Sequence, residues 1–179
     1  QSLSNRITLK NIIIVLGHES ELVKSNIISN FPNINFTIQS KQYGTAHAVL
    51  SAKNLLKNSR GKVIVLCGDT PLISVKLLLD LIKISKTVDI GVSVFKSLNP
   101  LGYGRIILDK LGKISSIIEE KDANRHQKNI NLCNAGIYIS EVKLLFKLLS
   151  KVKFNSNKKE MYLTDIIDIA ISKNKNIGM

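Results

Sequence analysis

Six short segments hold the residues that could do chemistry. The first is QSKQYGTAH, residues 39–47. Gln39 and Gln42 each carry an amide that donates and accepts, which suits a nucleobase edge. Gly44 permits close approach of the backbone to a ligand. Thr45 is a candidate cap for a helix whose free amides favour anionic or electron-rich groups. A Gly-Thr pair also opens many helices that bind nothing. The second segment is LCGDTPL, residues 66–72. An apolar run ends there, Gly68 allows a tight turn, and Asp69 follows. Open α/β sheets bind ligands at the carboxyl ends of their strands. A carboxylate there suits Mg²⁺, which takes one or two carboxylates plus substrate phosphates. Asp69 could equally cap a turn before Pro71.

The remaining four segments are less specific. In PLGYGR, residues 100–105, Gly102 and Gly104 imply a loop whose backbone comes close to something. Ordinary turn chemistry explains the same glycines. Arg105 could face a phosphate or pair with a carboxylate. In IEEKDA, residues 118–123, Glu119 ends a strand and could accept hydrogen bonds from sugar hydroxyls. Glu120, Lys121 and Asp122 read as a solvated loop. Asn134-Ala135-Gly136 places an amide inside an apolar strand, where it needs partners; a sugar hydroxyl or acetamido group would serve. In EMYLTD, residues 160–165, Thr164 is a candidate helix cap, and Glu160 or Tyr162 could touch a ligand. His18, His47 and His126 share no metal-binding spacing. No Ser or Cys stands beside a base as a nucleophile would.

Apolar runs that alternate with helical periodicity must position these residues, and they predict an α/β fold. Strands are expected at 11–16 (NIIIVL), 35–39, 62–66 (KVIVL) and 90–95. Helices are expected at 19–30, where Leu22, Val23 and Ile27 share a face, at 45–56, and at 75–84 after a Ser74 cap. A hairpin follows, 105–108 with 113–119, turning near Gly112. Residues 121–131 have no apolar face and read as a loop. A strand at 132–139 and helices near 141–149 and 164–172 complete the chain. Parallel α/β units followed by a more mixed sheet suggest a nucleotide-binding half and a sugar-binding half within one domain.

Composition sets the outer limits. The chain has 179 residues, 44% hydrophobic and 22% charged, as a globular domain does. No apolar run approaches the roughly 20 residues that span a bilayer, and QSLSNRITLK does not read as a secretory signal. A cytoplasmic location is expected. Cys67 and Cys133 lack metal or CxxC spacing and are expected to be reduced thiols. The net charge of +13 comes from lysines scattered over most helical segments. That favours a generally basic surface over a nucleic-acid groove or a membrane-binding block. Single-strand binders also need clustered aromatics, which are lacking.

The order QYGTAHAV, CGDTPLI, PLGYGRI, IIEEKDA, NAGIYI, EMYLTDII resembles that of the bacterial N-acetylglucosamine-1-phosphate uridylyltransferases, over nearly the whole chain. These are bifunctional enzymes whose other half is an acetyltransferase. The resemblance implies a Rossmann-like nucleotidyltransferase domain. It would join UTP to N-acetylglucosamine 1-phosphate with Mg²⁺ and feed peptidoglycan and outer-envelope sugars. Gln39 would read uracil, with Gly44 and Thr45 beside the base. Cys67, Gly68 and Asp69 would form the ribose-and-metal segment, with Asp69 as the Mg²⁺ ligand. Gly104, Glu119 and Asn134 would hold the N-acetylglucosamine moiety, with Tyr162 and Thr164 as further sugar-side contacts. Gln39, Asp69, Glu119 and Asn134 would have to converge.

The departures carry expectations too. The family opens with a strand and a phosphate loop of the LAAGxGTRM type followed by a Lys, and nothing in this chain matches them. A second Mg²⁺ ligand, an Asn, would fall beyond Met179, and the β-helix of the acetyltransferase half has no counterpart. Residues 1–179 are therefore expected to be a partial domain, inactive alone; the alternatives are a sugar-1-phosphate nucleotidyltransferase for another base or sugar, or a catalytically dead nucleotide-sugar-binding remnant. The partial domain would be monomeric where the family forms trimers. Cys67 stands where an aromatic is common, and Met161 where Tyr is common.

Overall fold

The computed structural model describes residues 11–70, 72–156 and 159–179. Pro71 lies outside them. The chain divides into two compact units. One comprises Gln1–Asn58 with Lys153–Leu163, the other Ser59–Val152 with Thr164–Met179.

The first unit is built on a βαβ element. Strand β1 (Ile13–Leu16) and strand β2 (Asn35–Ile38) pair in parallel, joined by helix α1 (Ser20–Asn30). Their register runs from Ile13 opposite Asn35 to Leu16 opposite Ile38. The Gln39 amide donates to Leu16 O at 2.7 Å, so the ladder reaches the first candidate site residue. The apolar stripe expected of α1 is not a core face: none of its residues is buried, and Leu22 is 59% exposed.

The single helix expected over 45–56 is two, α2 (Thr45–Ser51) and α3 (Lys53–Leu56), broken at Ala52. The Ser51 carbonyl accepts from Thr37 Oγ1 at 2.9 Å, and Ser51 Oγ donates back to His47 O at 3.0 Å. Side-chain hydroxyls thus compete with the backbone ladder at this turn.

The second unit contains strand β3 (Lys62–Val65), helix α4 (Val75–Ile84) and strand β4 (Ile90–Lys96). The hairpin follows, β5 (Arg105–Leu108) and β6 (Ile114–Ile118), then helix α5 (Arg125–Lys128) and the long strand β7 (Leu132–Glu141). Helices α6 (Val142–Leu149) and α7 (Asp165–Ile171) and the short strand β8 (Ile177–Gly178) end it. Ser74 caps α4 as expected, accepting from the Leu77 amide at 3.2 Å. Helix α5 lies within the stretch read as a loop. It carries a capping box, with Asn124 and Gln127 each accepting the other's backbone N–H at 2.9 Å.

The sheet is mixed. Strands β3, β4 and β5 run antiparallel to β7, β8 runs parallel to β4, and β6 runs antiparallel to β5. Four strands therefore point one way. Most hydrogen-bonded neighbours are nonetheless antiparallel, because β7 lies between β4 on one edge and β3 and β5 on the other.

Along the β4–β7 ladder, Val92 faces Tyr138 but Val94 faces Asn134, so two residues of β4 span four of β7. The surplus residues form a bulge at Gly136, whose φ of +72° favours glycine. Leu81, Ile137 and Ile139 form a buried cluster, with Ile64 and Leu77 packed on it. Helix α6 buries Val142, Leu145, Phe146, Leu148 and Leu149, and α7 buries Ile166, Ile167 and Ala170. Among the described residues no helix is long and apolar enough to cross a membrane.

Candidate functional site

In the first unit the candidate residues gather where β2 hands over to α2. Gln39 is buried. Its Nε2 donates to Gly44 O at 3.0 Å and approaches His47 Nδ1 at 3.1 Å. Gly44 itself has a φ of +93°. The close approach that its lack of a side chain permits is to protein. A Cβ there would lie 2.6 Å from Met161 O and 2.9 Å from Met161 N. The Met161 amide donates to Tyr43 O at 2.7 Å, and Met161 O accepts from the Ala46 amide at 3.0 Å.

Thr45 is not the cap of α2. Gly44 occupies that position with no side-chain bond, and Thr45 Oγ1 accepts instead from the Leu163 amide at 2.9 Å. Tyr162 stands half-buried within this 161–163 strap. The residue sequence reading missed is His47. It holds Gln39 from one side while the Tyr43 ring packs edge-on against it, 5.4 Å between centroids. Its place in GTAH, one helical turn beyond the loop, was the available signal.

The second unit links most of the other candidates in one contact series. Cys67 Sγ donates to Gly136 O at 3.4 Å. The Gly136 amide donates to Asn134 Oδ1 at 3.0 Å. A Cβ on Gly104 would lie 3.6 Å from Asn134 Cβ and 3.4 Å from Glu119 Oε2. Glu119 Oε1 accepts from Thr164 Oγ1 at 2.8 Å. Thr164 is therefore a buried carboxylate holder, and it makes no side-chain cap on α7. Burial, then the Asp69 and Glu119 charges, push the Cys67 thiol up from its ordinary value. A raised value keeps the sulfur protonated and unreactive.

The turn after β3 is closed by Thr70, whose amide and hydroxyl donate to Cys67 O at 3.3 and 2.9 Å. Asp69 is exposed, and among the described residues its carboxylate has no protein partner. Gly68 is exposed too, with open space where a Cβ would stand. No group of three or more metal-ligating residues occurs among the described residues. A lone carboxylate free of internal bonds fits Mg²⁺, which keeps several waters and takes phosphate oxygens.

Arg105 settles its open choice in favour of a carboxylate. It is 1% exposed, and its Nη2 donates to Glu120 Oε2 at 2.6 Å and to Lys128 O at 3.3 Å. Its Nη1 donates to Tyr103 O. Glu120 is thus no solvated loop residue. The Arg105 hydrogen bond holds its carboxyl below the usual range. This knot fixes the loop that carries Gly104. The two cysteines are free thiols, as expected.

The mixed sheet sets candidate residues just after β3, just after β6 and within β7. The chain belongs to the nucleotidyl transferase family, whose sequence pattern matches residues 1–178. Among curated proteins it is similar to the bifunctional protein GlmU of Francisella tularensis subsp. novicida strain U112. The two are 43% identical over 169 residues, 94% of this chain and 36% of that protein. The chain thus spans little more than a third of that relative.

Two solved structures share the fold. UDP-glucose pyrophosphorylase in complex with UDP-glucose aligns at a TM-score of 0.63 and 22% identity, over 93% of this chain and 71% of that one. HddC from Yersinia pseudotuberculosis aligns at 0.64 and 21%, over 93% and 67%.

Proposed function

We propose that this chain carries base-reading and sugar-reading residues of an enzyme that transfers a uridylyl group from UTP to N-acetylglucosamine 1-phosphate. The products are UDP-N-acetylglucosamine and pyrophosphate. The observation that carries this reading is the Thr164–Glu119–Gly104–Asn134–Gly136–Cys67 series of the second unit. It sets a carboxylate and an amide side by side. The carboxylate can accept from ring hydroxyls, and the amide can donate to an acetamido carbonyl. The 43% identity with the F. tularensis GlmU over most of the chain supports this choice of sugar.

Gln39 supports the choice of base. Its Nε2 hydrogens are spent on Gly44 O and His47 Nδ1, so it offers a ligand only its carbonyl oxygen. That oxygen can accept from the N3–H of uracil. It would meet a lone pair on N3 of cytosine, which leaves a buried acceptor unpaired.

The reaction is in-line displacement at the α-phosphorus of UTP. A phosphate oxygen of the sugar phosphate forms the new P–O bond, and the bond to the departing pyrophosphate breaks. No proton moves, so positioning and charge neutralisation supply the rate. Asp69 would hold Mg²⁺, whose chemistry when bound is to shield the phosphate charges. Gly104, Glu119 and Asn134 fix the sugar, and Thr164 fixes Glu119.

The test is made on the protein that carries this chain, with UTP, Mg²⁺ and N-acetylglucosamine 1-phosphate. Asn134→Ala and Glu119→Gln should each lower kcat/KM roughly a hundredfold, the scale of one lost transition-state hydrogen bond. Wild-type turnover that is as fast with CTP as with UTP would reject the uracil assignment.

A further inference from the structure

Tyr138 is 2% exposed, and no step of the reaction above uses it. Its hydroxyl nevertheless accepts a 2.7 Å hydrogen bond from Asn134 Nδ2. That contact is unusual in a strand. Residues four apart on a regular strand stand roughly 13 Å from one another at about 3.3 Å per residue. The bulge at Gly136 shortens the path, since two residues of β4 span four of β7 there.

The same bulge turns the Gly136 amide onto Asn134 Oδ1 at 3.0 Å. A backbone N–H can only donate, so the end of the Asn134 amide facing Gly136 must be oxygen and the end facing Tyr138 must be nitrogen. Each end has one partner, which leaves Asn134 one N–H and one oxygen lone pair for a ligand.

Building on the sugar-transfer reading, we propose that Tyr138 is a positioning residue that holds in place the Asn134 amide, whose direction the Gly136 N–H sets, and so selects an acetamido sugar over one bearing a plain hydroxyl. Without the tyrosine oxygen, Nδ2 has no acceptor behind it and the amide is tethered only at Oδ1, by the Gly136 N–H. An acetamido group asks for a directed N–H to its carbonyl. A hydroxyl donates or accepts as required and tolerates either direction. Burial, offset in part by the Asn134 hydrogen bond, pushes the Tyr138 phenol above its ordinary value, so it remains a neutral acceptor.

Tyr138→Phe keeps the ring and removes only the acceptor. In the protein that carries this chain, it should raise KM for N-acetylglucosamine 1-phosphate roughly tenfold, about one lost hydrogen bond. The values of kcat and of KM for UTP should stay near wild type. The preference over glucose 1-phosphate should shrink by a similar factor. In ¹⁵N-resolved spectra of that protein without ligand, the Asn134 side-chain amide signals should shift and broaden.

A Tyr138→Phe variant with reduced melting temperature but unchanged sugar preference and unchanged Asn134 signals overturns the role of Tyr138 alone. A wild-type protein that turns over neither sugar phosphate overturns the transfer reading and the selectivity with it.

Discussion

The candidate residues of the first unit are held mostly by main chain, and Glu119 and Asn134 of the second are held by side-chain hydroxyls as well. Around Gly44 the partners are Met161 N and O, Tyr43 O, and the Ala46 and Leu163 amides. Around Glu119 and Asn134 they are the Thr164 and Tyr138 hydroxyls, joined by the one Gly136 amide. Behind Gly104 stands the Arg105 guanidinium. A planar base can be received by a stiff main-chain loop that presents one buried amide. A sugar offers several hydroxyls in different directions, and only side chains can be aimed at each. Main-chain docking tolerates most side-chain changes except at glycine. A side-chain network can be taken apart one atom at a time.

That difference ranks the consequences of mutation. The largest is expected at Arg105→Met. The substitution leaves Tyr103 O and Lys128 O without their donor, roughly 1–3 kcal/mol for each acceptor, and removes the nearer of the cations facing Glu120. A lower unfolding midpoint should come with fast hydrogen exchange in the loop before β5, which carries Gly104. A midpoint within a degree of wild type would mean that the knot is only decorative.

Gly44→Ala is the counterpart in the first unit. The new Cβ would stand 2.6 Å from Met161 O at a φ of +93°. Backbone strain of this kind costs about 1–3 kcal/mol. Amide exchange at 43–46 and 161–163 should accelerate, because the strap must move as one piece. Gln39 should also lose its bond to Gly44 O, so nucleotide affinity falls while sugar affinity holds. If sugar affinity fell in step with nucleotide affinity, the division of labour drawn above would be wrong.

Much of the fold was legible because its signals are local. The apolar runs that became β1, β3 and β4 needed nothing but their own residues, and Ser74 marked the start of α4. The break at Ala52 was hidden. It depends on Thr37, fourteen positions before Ser51, taking that carbonyl. Strand β8 was hidden because two residues carry no pattern of their own and pair with distant β4. Helix α5 could have been read, since Asn124 and Gln127 have capping-box spacing, but a four-residue helix has no apolar period to draw attention to it.

Candidate residues such as Glu119, just past β6, and Asn134, within β7, could be picked out by type and place. Their holders could not. His47, Tyr138 and Glu120 look like ordinary helix, core and loop residues until pairing supplies their partners.

The sharpest comparison is between Thr45 and Thr164, because they look alike in sequence. Each stands at a helix start, and neither caps its helix. Thr164→Val removes a hydroxyl that donates to a carboxylate, and hydrogen bonds to charged groups contribute about 1.5–3 kcal/mol. Thr45→Val removes a hydroxyl that accepts from the neutral Leu163 amide, about 0.5–1.5 kcal/mol. Isothermal titration should separate them further. Thr164→Val should weaken N-acetylglucosamine 1-phosphate binding, because Glu119 loses the contact that aims it, while Thr45→Val should leave that binding unchanged and only lower stability slightly. Thr164→Ser should restore the sugar affinity, since it returns the donor without the methyl group. Equal losses of sugar affinity from the two valine variants would show that the hydroxyl of Thr164 acts through general packing, and that the side-chain network of the second unit is no more directed than the main-chain strap of the first.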